Sequence, residues 1–321
     1  MMKAGVIKIA EGAVQARQRI EQFVYQTPLL YSRELGKLYG SDLRFKAENF
    51  QHTGSFKMRG AASKMTSLTD KQGLITASSG NHGIACARAA SIAGLDLVVV
   101  LPENVAAAKL KKIEAYGVEV VLHGAESNLA EAHAQSLSVS RGLLYVSPYN
   151  DEAVIAGQGT IGLELLEQTD RIDNIFISMG GGGLISGIAS VLKHVNPNIH
   201  VYGVSAKNSA ALAASMVAGK VVITDHYDTL ADGVAGGVDD NSVTLALATA
   251  VIDEVLTCSE DEIVFALQKL AFDEHLLVEG AAALALSGFI QVAEKVVDQN
   301  NIVLLCGGNF DNDKVMSAIK P

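Results

Sequence analysis

From residue 74 onward the sequence alternates short apolar runs with stretches of helical period, and no other feature limits the possible folds as sharply. The runs at 74–77, 95–101, 118–122 and 143–146 are separated by helical stretches at 81–93, 105–116 and 127–141. The pattern resumes with a helix at 158–169, a strand at 174–178, a helix at 183–194, a strand at 200–204 and a helix at 208–217. A strand at 254–257, helices at 259–274 and 279–295, and a strand at 302–305 complete it. Short strands that return through helices of about 10–15 residues pair in parallel by right-handed crossovers. The expected fold class is therefore α/β, with two open-sheet domains. A small α/β unit takes residues 70–149, and a large domain takes 1–69 and 150–321. The segment before residue 47 is expected to hold a helix at about 9–24 and a short one near 32–38, and a further helix should run from Lys57 to about 68.

With 49% apolar and 19% charged residues the chain can fill two cores, and disorder is excluded. The net charge of −10 and the lack of any basic run argue against nucleic acid as a partner. Three widely spaced cysteines, Cys86, Cys258 and Cys306, offer neither a disulfide framework nor zinc spacing and fit a reducing compartment. The histidines are scattered, and no G-x-S-x-G elbow is present. The N-terminal stretch lacks a signal-peptide pattern, and no apolar run reaches the ~20 residues of a membrane span. A cytoplasmic protein without membrane partners is expected.

Four loops could carry chemistry. In the first, the polar run Gln51–Ser55 ends at Phe56, and Lys57 opens the next helix. A helix N-terminus favours anions, so a lysine placed there is either an ordinary solvated side chain or an amine with a lowered pKa, suited to nucleophilic work. The turn Thr76-Ala-Ser-Ser-Gly-Asn-His-Gly83 either presents free N–H groups to an anion or is simply capped by Ser78, Ser79 or Asn81. His82 reads as a supporting hydrogen-bonding residue rather than a base. Gly180–Gly183 sacrifices local stability, which points to a phosphate gripped by backbone N–H groups. It matches neither the P-loop nor the G-x-G-x-x-G spacing, and the next strand runs into Ser205 rather than an acid, so a nucleotide is not indicated. The last turn, Cys306-Gly-Gly-Asn309, puts Cys306 either at the same cleft or in the packing beneath it. A non-periodic Gly- and Asp-rich stretch at 225–241 has the length of a functional loop.

Taken together, Gly54-Ser-Phe-Lys-Met-Arg-Gly60, Ser79-Gly-Asn-His-Gly83, Gly180–Gly183 and Gly307-Gly-Asn309 resemble the fold-type II pyridoxal-phosphate enzymes, whose fold is tryptophan synthase beta-like. Within them the chain is similar to the threonine/serine ammonia-lyase (dehydratase) and serine racemase group. Ala156-Gly-Gln-Gly-Thr-Ile-Gly162 and Ala231-Asp-Gly-Val234 stand in the matching order. The motifs differ from the Gly-Asn-Thr of cysteine synthases and the Phe-Lys-Asp-Arg of threonine synthases.

The resemblance implies that pyridoxal 5'-phosphate lies in the cleft between the domains. Lys57 would bind it as a Schiff base and move the Cα proton, with Phe56 beside it. Gly180, Gly181, Gly182 and Gly183 would hold the phosphate, Asn81 the phenolic oxygen, and Cys306 would stand neutral near the pyridine nitrogen. Ser78, Ser79, Asn81 and His82 would bind the carboxylate of a small amino-acid substrate. The implied reaction is β-elimination from L-threonine, L-serine or a related β-hydroxy amino acid, giving a 2-oxo acid and ammonia. A homodimer is likewise implied.

The match departs from the family at several positions. Relatives with a divalent-cation site carry acids where this sequence has Ser205 and Ala211, so no metal is expected there. Asn128 aligns with an arginine of serine racemases, and the chain stops soon after Asn309, where biosynthetic threonine deaminases continue into a regulatory domain. In racemases of the group a serine at position 79 is the second base, opposite the lysine. Ser79 thus leaves racemisation open as the alternative activity.

Overall fold

The computed structural model describes residues 3–320. α1 (Ala4–Ile20) leads into β1 (Leu29–Tyr31), α2 (Leu35–Leu38), β2 (Asp42–Ala47) and α3 (Lys57–Thr66). β3 (Leu74–Ala77), α4 (Asn81–Ala93), β4 (Leu97–Leu101), α5 (Ala107–Glu114), β5 (Glu119–Leu122), α6 (Ser127–Arg141) and β6 (Leu144–Tyr145) follow. Next come α7 (Glu152–Gln168), β7 (Asn174–Ser178), α8 (Gly183–Val195), β8 (His200–Ala206), α9 (Ala211–Ala218) and α10 (Val243–Val251). The chain ends through β9 (Glu254–Cys258), α11 (Glu260–Phe272), α12 (Gly280–Val292), β10 (Asn300–Leu305) and α13 (Asn312–Ile319).

These elements build two parallel-sheet domains. One sheet has the order β5-β4-β3-β6 and is parallel throughout. The other has the order β1-β2-β10-β7-β8-β9 and is parallel except where β1 meets β2. In the smaller sheet the period-2 alternation sorts the side chains. Leu74, Leu97, Val99 and Leu101 join Met58, Ala61, Ala62 and Met65 of α3 in one core. Ile75, Val98 and Val100 face Ala130 and Ala134 of α6 in another. In the larger sheet α12 packs on β7, β8, β9 and β10. No described helix is long and apolar enough to cross a membrane.

β1 and β2 escape the sequence pattern for a physical reason. β2 reads DLRFKA, and its Lys46 interrupts the apolar run while being fully buried among carboxylates. α10 and α13 were also not indicated by the periodicity, the first because VTLALATAV is apolar on nearly all sides. The 225–241 stretch is irregular apart from one 3-10 turn at Asp232–Val234. The glycines of the 156–162 motif serve packing. A Cβ at Gly157 would lie 2.5 Å from the Arg59 carbonyl, so α7 and α3 touch backbone to backbone.

Candidate active site

All three glycine-rich turns lie beyond the carboxyl ends of parallel strands, at β3, β7 and β10, where such sheets gather ligands. Hydrogen bonds lace the Lys57 loop to the last of them. Phe56 N–H donates to Cys306 O at 3.0 Å, Gly308 N–H to Gly54 O at 2.8 Å, and Asn309 Nδ2 to Thr53 O at 2.6 Å. This backbone stitching fixes Lys57 as the first residue of α3.

The Lys57 ammonium donates to Pro148 O at 2.7 Å and lies 5.2 Å from the centre of the Phe56 ring. Burial lowers it to about 8, while the nearby Cys86, Cys306 and Glu279 oppose the shift. Half-buried and bonded to a backbone carbonyl, Lys57 is not a freely solvated side chain. Pro148 also links Lys57 to the phosphate-type loop, because the next residue, Tyr149, lies flat against it. A Cβ at Gly181 would fall 2.5 Å from the Tyr149 ring, and one at Gly180 would meet the Val234 carbonyl at 2.7 Å. Gly182 has φ +86°, a left-handed geometry that glycine adopts without steric cost. Thr244 Oγ1 donates to Gly181 O at 2.6 Å, and Tyr149 Oη accepts from Asp239 N at 2.9 Å. The loop is packed too tightly against Val234, Tyr149 and Leu212 to carry side chains, and it leads into the N-terminus of the 13-residue α8, whose backbone N–H groups suit a phosphate.

In the β3–α4 turn, Gly80 is the N-cap of α4 and no side chain caps the helix. The hydroxyl of Ser78 accepts only from Gly80 N, at 3.2 Å, and Ser79 is half-buried beside it. The turn thus keeps the first N–H groups of α4 free for an anion. His82 is buried, its Nε2 bonded to Val146 O at 3.0 Å. A carbonyl only accepts, so Nε2 carries the proton. Burial, with the Lys57 charge, drives this imidazole down to about 3 and keeps it neutral. Cys306 is buried, and burial raises its thiol well above its ordinary value, so it too is uncharged.

One site residue gave no motif. Glu279, the N-cap residue of α12, is 3% exposed and points its carboxyl into the site. Asn81 Nδ2 donates to both Glu279 oxygens at 3.0 Å, and Asn309 N–H donates at 3.1 Å. The signal for it is a single acid inside the apolar run LLVEGAAALAL, where an unpaired charge would be costly. Ser205 is buried in β8 and Ala211 opens α9. Among the described residues no group of three or more His, Cys, Asp or Glu side chains could hold a metal ion.

A half-buried lysine bonded to Pro148 O, whose neighbour Tyr149 packs on the four-glycine loop, together with a neutral His82 and Cys306, suits a phosphorylated aldehyde cofactor. The chain belongs to the family of pyridoxal-phosphate dependent enzymes, whose model matches residues 20–308. It is 37% identical over 315 residues to a catabolic L-threonine dehydratase of Staphylococcus aureus, covering 95% of this chain and 90% of that protein. Its structure superposes on maize serine racemase with a TM-score of 0.89 at 31% identity, covering 97% of this chain and 96% of the other. The processed threonine deaminase isoform 2 of Solanum lycopersicum gives a TM-score of 0.93 at 31% identity, covering 98% and 87%.

Proposed function

We propose that this chain is a pyridoxal-phosphate-dependent ammonia-lyase that converts L-threonine, L-serine or a related β-hydroxy amino acid to a 2-oxo acid and ammonia. The observation that carries this reading is Lys57, a half-buried amine opening α3 that donates to Pro148 O, next to the Tyr149 ring packed on the four-glycine loop. The dehydratase and deaminase relatives support the same reaction class.

When bound, the cofactor supplies an electron sink for the pair released from the substrate Cα–H bond. The protein then has four tasks. Gly180–Gly183 and the α8 N-terminus would hold the phosphate, and Asn81 would orient the phenolic oxygen. The free N–H groups at the start of α4, with Ser78, Ser79 and Asn81, fix the substrate carboxylate; His82 contributes its backbone, since its ring is occupied by Val146. Lys57, part of whose population is neutral near pH 7, takes the Cα proton. Cys306, whose thiol is kept neutral by burial, would offer the ring nitrogen no charged partner, and such a cofactor would favour loss of the β-hydroxyl over transamination.

A second reading, racemisation through Lys57 and Ser79, is supported by Ser79 standing in the turn without capping α4 and by the likeness to maize serine racemase. Purified protein incubated with L-serine and L-threonine separates the two. Elimination yields 2-oxo acid, whereas D-serine without pyruvate would sink the lyase reading. We further propose a cytoplasmic homodimer, consistent with three buried free cysteines, whose domains divide at residues 69/70 and 149/150. Light scattering tests the dimer.

A further inference from the structure

The Glu279 carboxyl stands at an unusual place for an acid that begins a helix. Its backbone carbonyl accepts from Ala282 N and Ala283 N, but its side chain does not cap α12. Instead the carboxyl turns toward the cleft and closes a ring of three residues. Asn81 Nδ2 donates to Oε1 and Oε2, Asn309 N–H donates to Oε2, and Asn309 Nδ2 donates to Asn81 Oδ1 at 2.8 Å. The ring joins the start of α4, under the smaller sheet, to the loop beyond β10 in the larger one. The chain makes room for it. A Cβ at Gly307 would lie 2.6 Å from a Glu279 oxygen, so the Gly-Gly-Asn turn needs glycine where the carboxyl passes.

The ring decides which way the Asn81 amide faces. Its oxygen is taken by Asn309 and its nitrogen lies 3.0 Å from both carboxyl oxygens. Those two oxygens are too close together for both N–H bonds, splayed trigonally, to point at them. One N–H is shared between them, and the other is left to face away from the carboxyl. A flipped amide would set two oxygens against each other at Glu279 and two N–H groups at Asn309.

We propose that Glu279 is a positioning residue that locks the Asn81 amide in one orientation and so makes it a directed N–H donor toward the cofactor's phenolic oxygen. The inference rests on the function proposed above. Buried acids of this kind hold their geometry best when every oxygen is occupied, as here by Asn81, Asn309 and, at 3.9 Å, the Cys306 thiol.

A double-mutant cycle on the holoenzyme tests it. Wild type, Glu279→Ala, Asn81→Ala and the double variant are compared by cofactor Kd from absorbance titration and by the ratio of the bound cofactor's visible and near-ultraviolet bands. Glu279→Ala is expected to weaken cofactor binding tenfold or more and to shift the band ratio. The same change in the Asn81→Ala background is expected to alter both by less than twofold, because the residue it positions is already gone. Fold-changes that multiply independently would overturn the proposal. Glu279→Gln keeps the volume and an accepting oxygen, so it should restore the band ratio to within twofold; a Gln variant as impaired as Ala would overturn positioning in favour of charge. If wild type itself gains no visible band with pyridoxal phosphate, the function falls and the inference with it. A wild type that binds and deaminates while the cycle multiplies sinks the inference alone.

Discussion

Lys57 and Arg59 stand two residues apart in the first turn of α3 and occupy opposite electrostatic settings. Lys57 donates to the Pro148 carbonyl and is lowered to about 8 by burial. Arg59 is 1% exposed, and although burial lowers it, Glu48 and Glu164 hold it above its ordinary value. The separation follows from helix geometry, since positions i and i+2 point to different sides. Arg59 donates through Nε and Nη2 to Glu48 at 2.8 Å and through Nη1 to Glu164 at 2.6 Å, and Lys46 also bonds Glu164. Two cations and two anions thus balance beneath the helix and anchor the turn that carries the reactive amine.

Arg59→Lys should therefore not behave as a conservative change. Lysine cannot span two carboxylates with a planar fork, so part of the buried negative charge loses its partner. A loss of about 3 kcal/mol in stability is expected from denaturant unfolding at pH 7. A change below about 0.5 kcal/mol would show that the cluster anchors nothing.

Gly181→Ala should impair cofactor binding. The new methyl meets the Tyr149 ring at 2.5 Å, and relief requires the ring or the loop to move. At least a tenfold rise in the Kd for pyridoxal phosphate is expected. Gly94→Ala is the control: Gly94 has φ +64° at the end of α4 but nothing within 4 Å. It should cost about 1 kcal/mol of stability, the strain of a left-handed alanine, and leave the Kd unchanged.

The fold was legible where an apolar strand alternates with helices of clear period, as at Val98–Val100; β1, only three residues long, and β2, which a buried charge enters, were not. Lys46 hides β2 because its partner Glu164 lies 118 residues away. Lys57 and Gly180–Gly183 stand out in the sequence because the chemistry proposed for them needs local geometry, a helix start or a left-handed φ. Glu279 could not, because its role is set by Asn81, 198 residues distant, and by Asn309. The loop at 225–241 shows why length alone is a coarse guide. Its Val234 and Asp239 do reach the glycine cradle and Tyr149, but no residue in it announces that contact.

Lys57 should set the pH dependence of cofactor loading. Only the neutral amine attacks an aldehyde, and burial places its midpoint near 8 rather than 10.5. The rate of incorporation into stripped protein should rise about tenfold per pH unit below 8 and level off above it. Continued increase through pH 10 would mean that the amine is solvated. Lys57→Ala should abolish both the visible band and turnover.

Ser79→Ala separates the two activities. Elimination needs one base at Cα, whereas racemisation needs a second on the opposite face of the substrate. D-amino acid formation should vanish while 2-oxo acid formation stays within a fewfold of wild type. Equal loss of both would leave carboxylate binding as the only role of Ser79.

Glu279 should leave a mark on stability against pH. Burial, with Asp232 adding to it, raises this carboxyl from 4.5 to about 7 even though Asn81 and Asn309 favour the anion. Between those values the folded protein binds the proton more tightly than the unfolded chain. Stability from this group is therefore highest in acid and falls as pH rises through the window from 4.5 to about 7, after which it is flat. Glutamine has no such titration. In stripped protein the stability of Glu279→Gln relative to wild type should improve by roughly 2 kcal/mol between pH 5 and pH 8, read from denaturant midpoints. A difference that stays constant across this range would mean that the carboxyl is already ionised at pH 5. Asn81 and Asn309 would then stabilise the anion by more than burial opposes it.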